Sequence, residues 1–402
     1  MRFLFCSLSN DGFLFSAVAV ARALQDLGHE VAFVTDITRA AVLEEAGLRR
    51  IPRGRKDGGS FEIATWFYNV PIAIQVKHIE YALEVFPADV LVGQPLAIGP
   101  VVVRDRIGIP LVVLGMGSPV WPTDPELVVR EPTGATEQRR LGRYQQMMEV
   151  YNKARKLFQL PPVDEDFVHS SLLGDLYLAQ SVPELWAPRG GMADRMELIG
   201  ACLWEPPQSH RDVDDWLALE PSKPLIYLQI GRSFLQSNPA QMLFSCLDPE
   251  EVRAAASVGR CDSQPDELSD HFLVRDFVPQ ERVLPQADAV VCTGNSTVML
   301  GALTHGVPML ILYGKGEQPD VAEVCVEAGA AIALPVAEVT GSDIRQGLNR
   351  LRTEQQFRQR ARELQQAFAG YGGPQAAAQH IVGVAAENGV SAGSTRRVAT
   401  AP

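Results

Sequence analysis

A chain of 402 residues with 46% apolar content can bury two hydrophobic cores of about 150–200 residues each, which excludes general disorder. Its formal net charge of -12, from 48 acidic and 36 basic residues, repels polyanions and argues against nucleic-acid binding. No apolar run approaches the roughly 18 residues of a membrane span, and the apolar opening is interrupted too early, at Ser9-Asn10-Asp11-Gly12, for a signal peptide.

The run Arg2-Phe3-Leu4-Phe5-Cys6 predicts a strand, followed by a loop to Gly12 and a helix whose apolar face is Val18, Ala21, Leu24 and Leu27. Gly28 stops that helix, and Glu30-Val31-Ala32-Phe33-Val34 supplies the next strand, so the start is a βαβ unit of a parallel sheet. Asp89-Val90-Leu91-Val92 and Leu111-Val112-Val113-Leu114 continue the alternation. Between residues 48 and 80 an excursion carries Arg53, Arg55, Lys56, Trp66, Phe67 and Tyr68; Trp66 and Phe67 are candidates to line a substrate pocket or to face the core.

A proline- and charge-rich stretch, Glu205-Pro206-Pro207-Gln208-Ser209-His210-Arg211-Asp212, reads as a linker. Beyond it the βα rhythm restarts at Leu225-Ile226-Tyr227-Leu228 and recurs through residues 272–274, 289–292, 308–312 and 331–334. The expected organisation is a first Rossmann-like domain over 1–205, a linker over 206–222 and a second domain over 223–373. A terminal helix over 374–388 and a flexible tail over 389–402 complete it. Six cysteines without metal-ligand spacing predict reduced, buried thiols in a cytoplasmic protein, and no metal site is expected.

In open α/β sheets, ligands sit beyond the carboxyl ends of strands, where helix N-termini offer free N–H groups. Three loops have that position. The first, Ser9-Asn10-Asp11-Gly12-Phe13, lacks GxGxxG and is small and polar enough to approach a substrate, although Asn10 or Asp11 could equally cap the helix. In the second, Ile230-Gly231-Arg232-Ser233, Arg232 is suited to two-pronged bonds with phosphate or to solvent. The third, Thr293-Gly294-Asn295-Ser296-Thr297, offers hydroxyls, an amide and a glycine at a helix start; helix capping alone would also account for Asn295 or Ser296. Glu317-Gln318 follows another strand and suits a polyhydroxylated ligand.

The segment 277–329 resembles the donor-binding signature of family 1 glycosyltransferases of the bacterial natural-product and macrolide type. The resemblance is carried by Phe277-Val278-Pro279-Gln280, by Ala302-Leu303 with His305-Gly306-Val307-Pro308, by Glu317-Gln318-Pro319 and by Ala328-Gly329. Ala21-Arg22-Ala23-Leu24, Gly28-His29-Glu30-Val31, Gly108-Ile109-Pro110 and Tyr371-Gly372-Gly373 extend it over most of the chain, excepting 40–85 and 120–195. It implies an α/β GT-B fold of two Rossmann-like domains facing across a cleft, with acceptor on the first domain and nucleotide-sugar on the second. By position Phe277 would pack on the nucleobase, Val278 would offer backbone contacts, Gln280 would lie near base or ribose, and Glu317 and Gln318 would meet sugar hydroxyls. Thr293 with Gly294, Asn295, Ser296 and Thr297 would meet the diphosphate. No permanently bound cofactor is implied; a nucleoside-diphosphate sugar is the expected co-substrate.

The chain departs from that pattern at three positions. Phe13 stands where the family has its catalytic histidine and cannot accept a proton, which leaves Asp11 as the nearest candidate base and Asn10 and Phe13 as acceptor contacts. Thr293 replaces a diphosphate-binding histidine, a loss that Arg232 would offset, and Gly301 replaces a ribose-binding glutamate. The leading expectation is inverting sugar transfer to a small, largely apolar acceptor. The alternatives are a catalytically silent homologue acting as a partner protein, and a GT-B-fold enzyme with a different donor or chemistry, or with an acceptor acidic enough to need no histidine. A homodimer is compatible with either.

Overall fold

Strands that are mostly apolar alternate with helices, and this pattern builds two parallel sheets whose central strands are buried. The computed structural model describes residues 1–54, 57, 59–62, 68–186, 194–207, 210–230, 239–259 and 269–389. The first sheet contains β1 (Arg2–Cys6), β2 (Glu30–Val34), β3 (Arg49–Arg50), β4 (Val90–Gly93), β5 (Leu111–Leu114), β6 (Leu176–Ala179) and β7 (Met196–Leu198). Their order is β3-β2-β1-β4-β5-β6-β7, every pairing parallel. The helices α1 (Asp11–Asp26), α2 (Ala40–Glu45), α3 (Asn69–Val85), α4 (Ile98–Ile107) and α5 (Ala135–Leu157) belong to the same part of the chain.

The second sheet is β10-β9-β8-β11-β12-β13, from β8 (Leu225–Gln229), β9 (Arg253–Ser257), β10 (Phe272–Arg275), β11 (Ala289–Cys292), β12 (Met309–Tyr313) and β13 (Ala331–Pro335), again parallel throughout. Around it lie α6 (Arg211–Leu217), α7 (Pro239–Ser245), α8 (Gln280–Val283), α9 (Ser296–Thr304), α10 (Gln318–Glu327), α11 (Gly341–Thr353) and α12 (Gln355–Ala369).

The chain separates into two compact units. One comprises Met1–Ser181, Ala187–Pro207 and Tyr371–Pro402; the other comprises Val182–Trp186 and Gln208–Gly370. The last helix, α13 (Pro374–Glu387), therefore returns to the first unit. Ala377, Ala378, Ile381, Val384 and Ala385 form a single apolar stripe, and they share one core cluster with Ala17, Val18, Ala21 and Leu24 of α1. Small residues on both helices permit that approach. The backbone N–H of Gly373 donates to the Ile199 carbonyl at 2.8 Å and fixes where the returning chain enters.

Three buried glutamines tie the first unit together where polar backbone would otherwise lack partners. Gln75 donates to the Ser60 carbonyl (2.7 Å) and accepts from the Gly99 N–H (3.0 Å). Gln94 accepts from the Leu8 N–H (2.8 Å) and donates to the Phe13 carbonyl (2.7 Å). Gln180 donates to the Gly115 carbonyl (2.6 Å) and accepts from the Cys202 N–H (3.2 Å). A carboxamide suits this task because it carries a donor and an acceptor without a charge to bury.

Candidate functional site

In each sheet the strand order reverses once, between β1 and β4 in the first unit and between β8 and β11 in the second. These are the topological switch points at which the flanking loops diverge and leave a crevice.

In the second unit, Gln229 and Cys292 are register partners at the carboxyl ends of β8 and β11. Asn295 takes the N-cap position of α9 with extended backbone, yet its side chain makes no capping bond. Its Nδ2 instead donates to Gln229 Oε1 at 3.2 Å, while its Oδ1 and the neighbouring Ser296 Oγ are buried without a hydrogen-bond partner. The capping role open to both residues in the sequence is thus not the one they take. Thr293 is 4% exposed and Thr297 half-buried. Gly294 adopts φ +78°, and a Cβ there would lie 3.0 Å from Ile311 and 3.1 Å from the Gln318 carbonyl, so only glycine lets the loops after β11 and β12 touch.

That contact changes the expectation for Gln318. Its side chain is 5% exposed, and Oε1 accepts from the Gly314 N–H at 2.7 Å, so the carboxamide oxygen closes its own loop. Glu317, half-buried at the N-cap of α10, makes no side-chain capping bond. Val278 departs from expectation in the same way. It is fully buried, its carbonyl accepts the Tyr227 hydroxyl at 3.1 Å, and its N–H donates to Ser257 Oγ at 3.4 Å, so its backbone anchors the loop instead of facing a ligand.

Phe277 keeps a 37% exposed ring beyond β10, with the His210 ring 6.1 Å away at 49°. Gln280 is 8% exposed and lies across α9, where a Cβ on Gly301 would collide with its Oε1 and come within 2.9 Å of its Cδ. Burial pushes the Cys292 thiol up to about 11, so this strand-end cysteine is neutral and unreactive near neutral pH.

At the switch point of the first unit, Asn10 is the N-cap of α1, again without a side-chain capping bond and with Oδ1 buried and unpartnered. Asp11 opens the helix and pairs with Arg39 at 2.7 Å, its side chain 60% exposed. Phe13 is 6% exposed. Trp66, Phe67 and Arg232 lie outside the described residues.

Three residues not expected from the sequence to take part join these loops: Gln94, Gln229 and His210. The first two had a signal, a polar residue ending or just following an apolar strand. His210 was assigned to the linker because only its neighbours in sequence were visible. A groove of about 510 Å³ is lined by Leu217, Pro221, Glu281, Arg282 and Gln286 among others.

Residues 251–384 match the model of the erythromycin biosynthesis protein CIII-like C-terminal domain. The 4'-demethylrebeccamycin synthase of Lentzea aerocolonigenes is 26% identical over 92% of this chain and 96% of its own length. The glycosyltransferase of kitacinnamycin superposes with a TM-score of 0.76 at 22% identity, covering 95% of this chain and 98% of its own. The glycosyltransferase VinC, solved in complex with dTDP, gives 0.73 at 20% identity, covering 96% and 100%. The chain has the GT-B fold, its residues 251–384 match an erythromycin biosynthesis protein CIII-like C-terminal domain, and over nearly its whole length it is similar to a natural-product synthase and to natural-product glycosyltransferases.

Proposed function

We propose that the protein transfers a sugar from a nucleoside-diphosphate sugar to a small, largely apolar acceptor, with the donor on the second unit and the acceptor on the first. The observation that carries this is the buried Ser296 hydroxyl, unpartnered at the start of α9 beside the β8/β11 switch point. A helix start with unmet groups there suits a diphosphate, which presents to N–H groups and hydroxyls the negative charge they favour. The exposed Phe277 ring provides a stacking surface for a nucleobase at the next loop, with Gln280 beneath the nucleoside. Glu317 stands at the start of α10 to take sugar hydroxyls, and Thr293 and Thr297 border the phosphates. The dTDP bound to VinC supports a nucleoside diphosphate as the ligand class.

In the proposed step the acceptor hydroxyl gives its proton to Asp11, the candidate base, as its oxygen attacks the anomeric carbon; the bond to the phosphate oxygen breaks and its electron pair leaves with the nucleoside diphosphate. The second unit then has to stabilise the departing charge; Thr293 supplies no imidazolium, which leaves the N–H groups and hydroxyls at the start of α9 and the Arg232 expected from the sequence. Isothermal titration with UDP, dTDP and GDP is the test. Saturable binding of at least one is expected, and weaker binding after Ser296→Ala. No binding to any of the three would sink the proposal and favour a homologue without turnover.

A further inference from the structure

We infer that Lys315 is a further residue of the transfer reaction, the cation that meets the terminal phosphate of the leaving nucleoside diphosphate; this rests on the sugar-transfer reading above. The register of the second sheet places it. β11 ends at Cys292, opposite Ile311, whereas β12 runs on to Tyr313. At about 3.3 Å per residue, the chain after β12 therefore starts about 7 Å beyond the end of β11, level with Thr293 and Gly294. There it folds into a closed turn, because the Gly314 N–H is held by Gln318 Oε1 at 2.7 Å. Gly316, at φ +75°, lets the chain reverse into α10. The same turn lies against the loop proposed to hold the diphosphate: the Gln318 carbonyl and Cα are 3.1 Å and 3.5 Å from where a Cβ on Gly294 would stand.

Lys315 is exposed within that turn, three residues before Gln318, and its ammonium makes no ion pair among the described residues. Glu317, two residues on, is half-buried and likewise makes none, so the opposite charges of the turn are not matched to each other. A lysine carries its charge on a flexible four-carbon stem, which suits a phosphate as a point charge without fixed hydrogen-bond geometry. In the donor the terminal phosphate is esterified to the sugar and bears one negative charge. When the bond to the anomeric carbon breaks, its electron pair stays on the phosphate oxygen and that charge rises to two, while the lysine keeps its proton. A positive charge beside that oxygen is worth more in the transition state than in the bound donor, and so it acts on kcat.

The experiment is calorimetry on the full chain, Lys315→Met and Lys315→Arg at low ionic strength, comparing UDP, dTDP and GDP with UMP, dTMP and GMP. Lys315→Met is expected to bind the diphosphates about 5–20-fold more weakly and the monophosphates within about 2-fold of wild type, since only the former carry the phosphate that the lysine meets. Added salt should narrow the difference between wild type and Lys315→Met, and Lys315→Arg should restore most of the lost affinity. Thermal midpoints of the three chains should coincide, because the side chain removed is exposed and unpaired. Equal losses for mono- and diphosphates, or no loss for either, would overturn the inference and leave the donor site in place. Failure of the wild-type chain to bind any diphosphate would remove the underlying reading, and the inference with it.

Discussion

Gln280 and Gly301 share one space: the carboxamide of the first, 8% exposed, fills the volume that a side chain at the second would need. The absence of a side chain at 301 is therefore matched to the place that Gln280 takes. Gly301→Ala in the wild-type chain is expected to destabilise by about 1–3 kcal/mol through overpacking, even though alanine is the better helix former. In a Gln280→Ala background the same substitution should stabilise by up to about 1 kcal/mol. A double-mutant cycle by urea denaturation reads the change of sign, and equal effects in both backgrounds would refute the shared-space account.

Ser296 Oγ is buried with no partner in the unliganded chain. Ser296→Ala therefore removes no intramolecular hydrogen bond, and stability should stay the same or rise by up to about 1 kcal/mol. Affinity for the nucleoside diphosphate should fall by about 3–10-fold, the worth of one hydrogen bond. Calorimetry and thermal melting on the same sample check both halves; a destabilised variant with unchanged affinity would assign Ser296 to the scaffold.

Gln94 joins backbone groups 86 and 81 residues away, the Leu8 N–H and the Phe13 carbonyl. Gln94→Ala leaves both unmet in the interior, and a loss of about 2–4 kcal/mol is expected. Gln94→Glu retains the acceptor but sets a carboxylate against the Phe13 carbonyl, which favours the protonated form and raises the folded-state pKa. Its deficit relative to wild type should therefore be smallest in mild acid and grow as the pH rises through that raised value, as urea midpoints between about pH 4.5 and pH 8 would show. A deficit independent of pH would contradict this contact.

Burial holds His78 below the usual imidazole range, with the neutral ring set against the Ile51 carbonyl. The folded chain thus binds fewer protons at this site than the unfolded chain from about pH 6.5 down to the depressed value. The stability it contributes is present above about pH 6.5 and is lost as the pH falls through that window. His78→Gln, which keeps a donor for the Ile51 carbonyl, should flatten the slope of stability against pH between about 7.5 and 5. An unchanged slope would place the titrating group elsewhere.

The βα alternation and the restart of the rhythm at residue 225 were legible because hydrophobic periodicity is local and repeats every two or 3.6 residues. The polar partnerships were not legible. Gln318 looked like a sugar ligand until its oxygen was found on Gly314, and Val278 offered no sign that both its backbone groups were engaged.

For this protein the amino-acid sequence by itself determined two parallel α/β units and the resemblance at the second-unit loops, because burial of apolar runs is set by composition and spacing. Only the tertiary structure decided that Gln94 bridges the Phe13 loop, that Asp11 is matched to Arg39, and that Gln280 requires Gly301. Each of those is a directional contact between side chains and loops distant in the chain, and its partner is chosen by where the strands end in space.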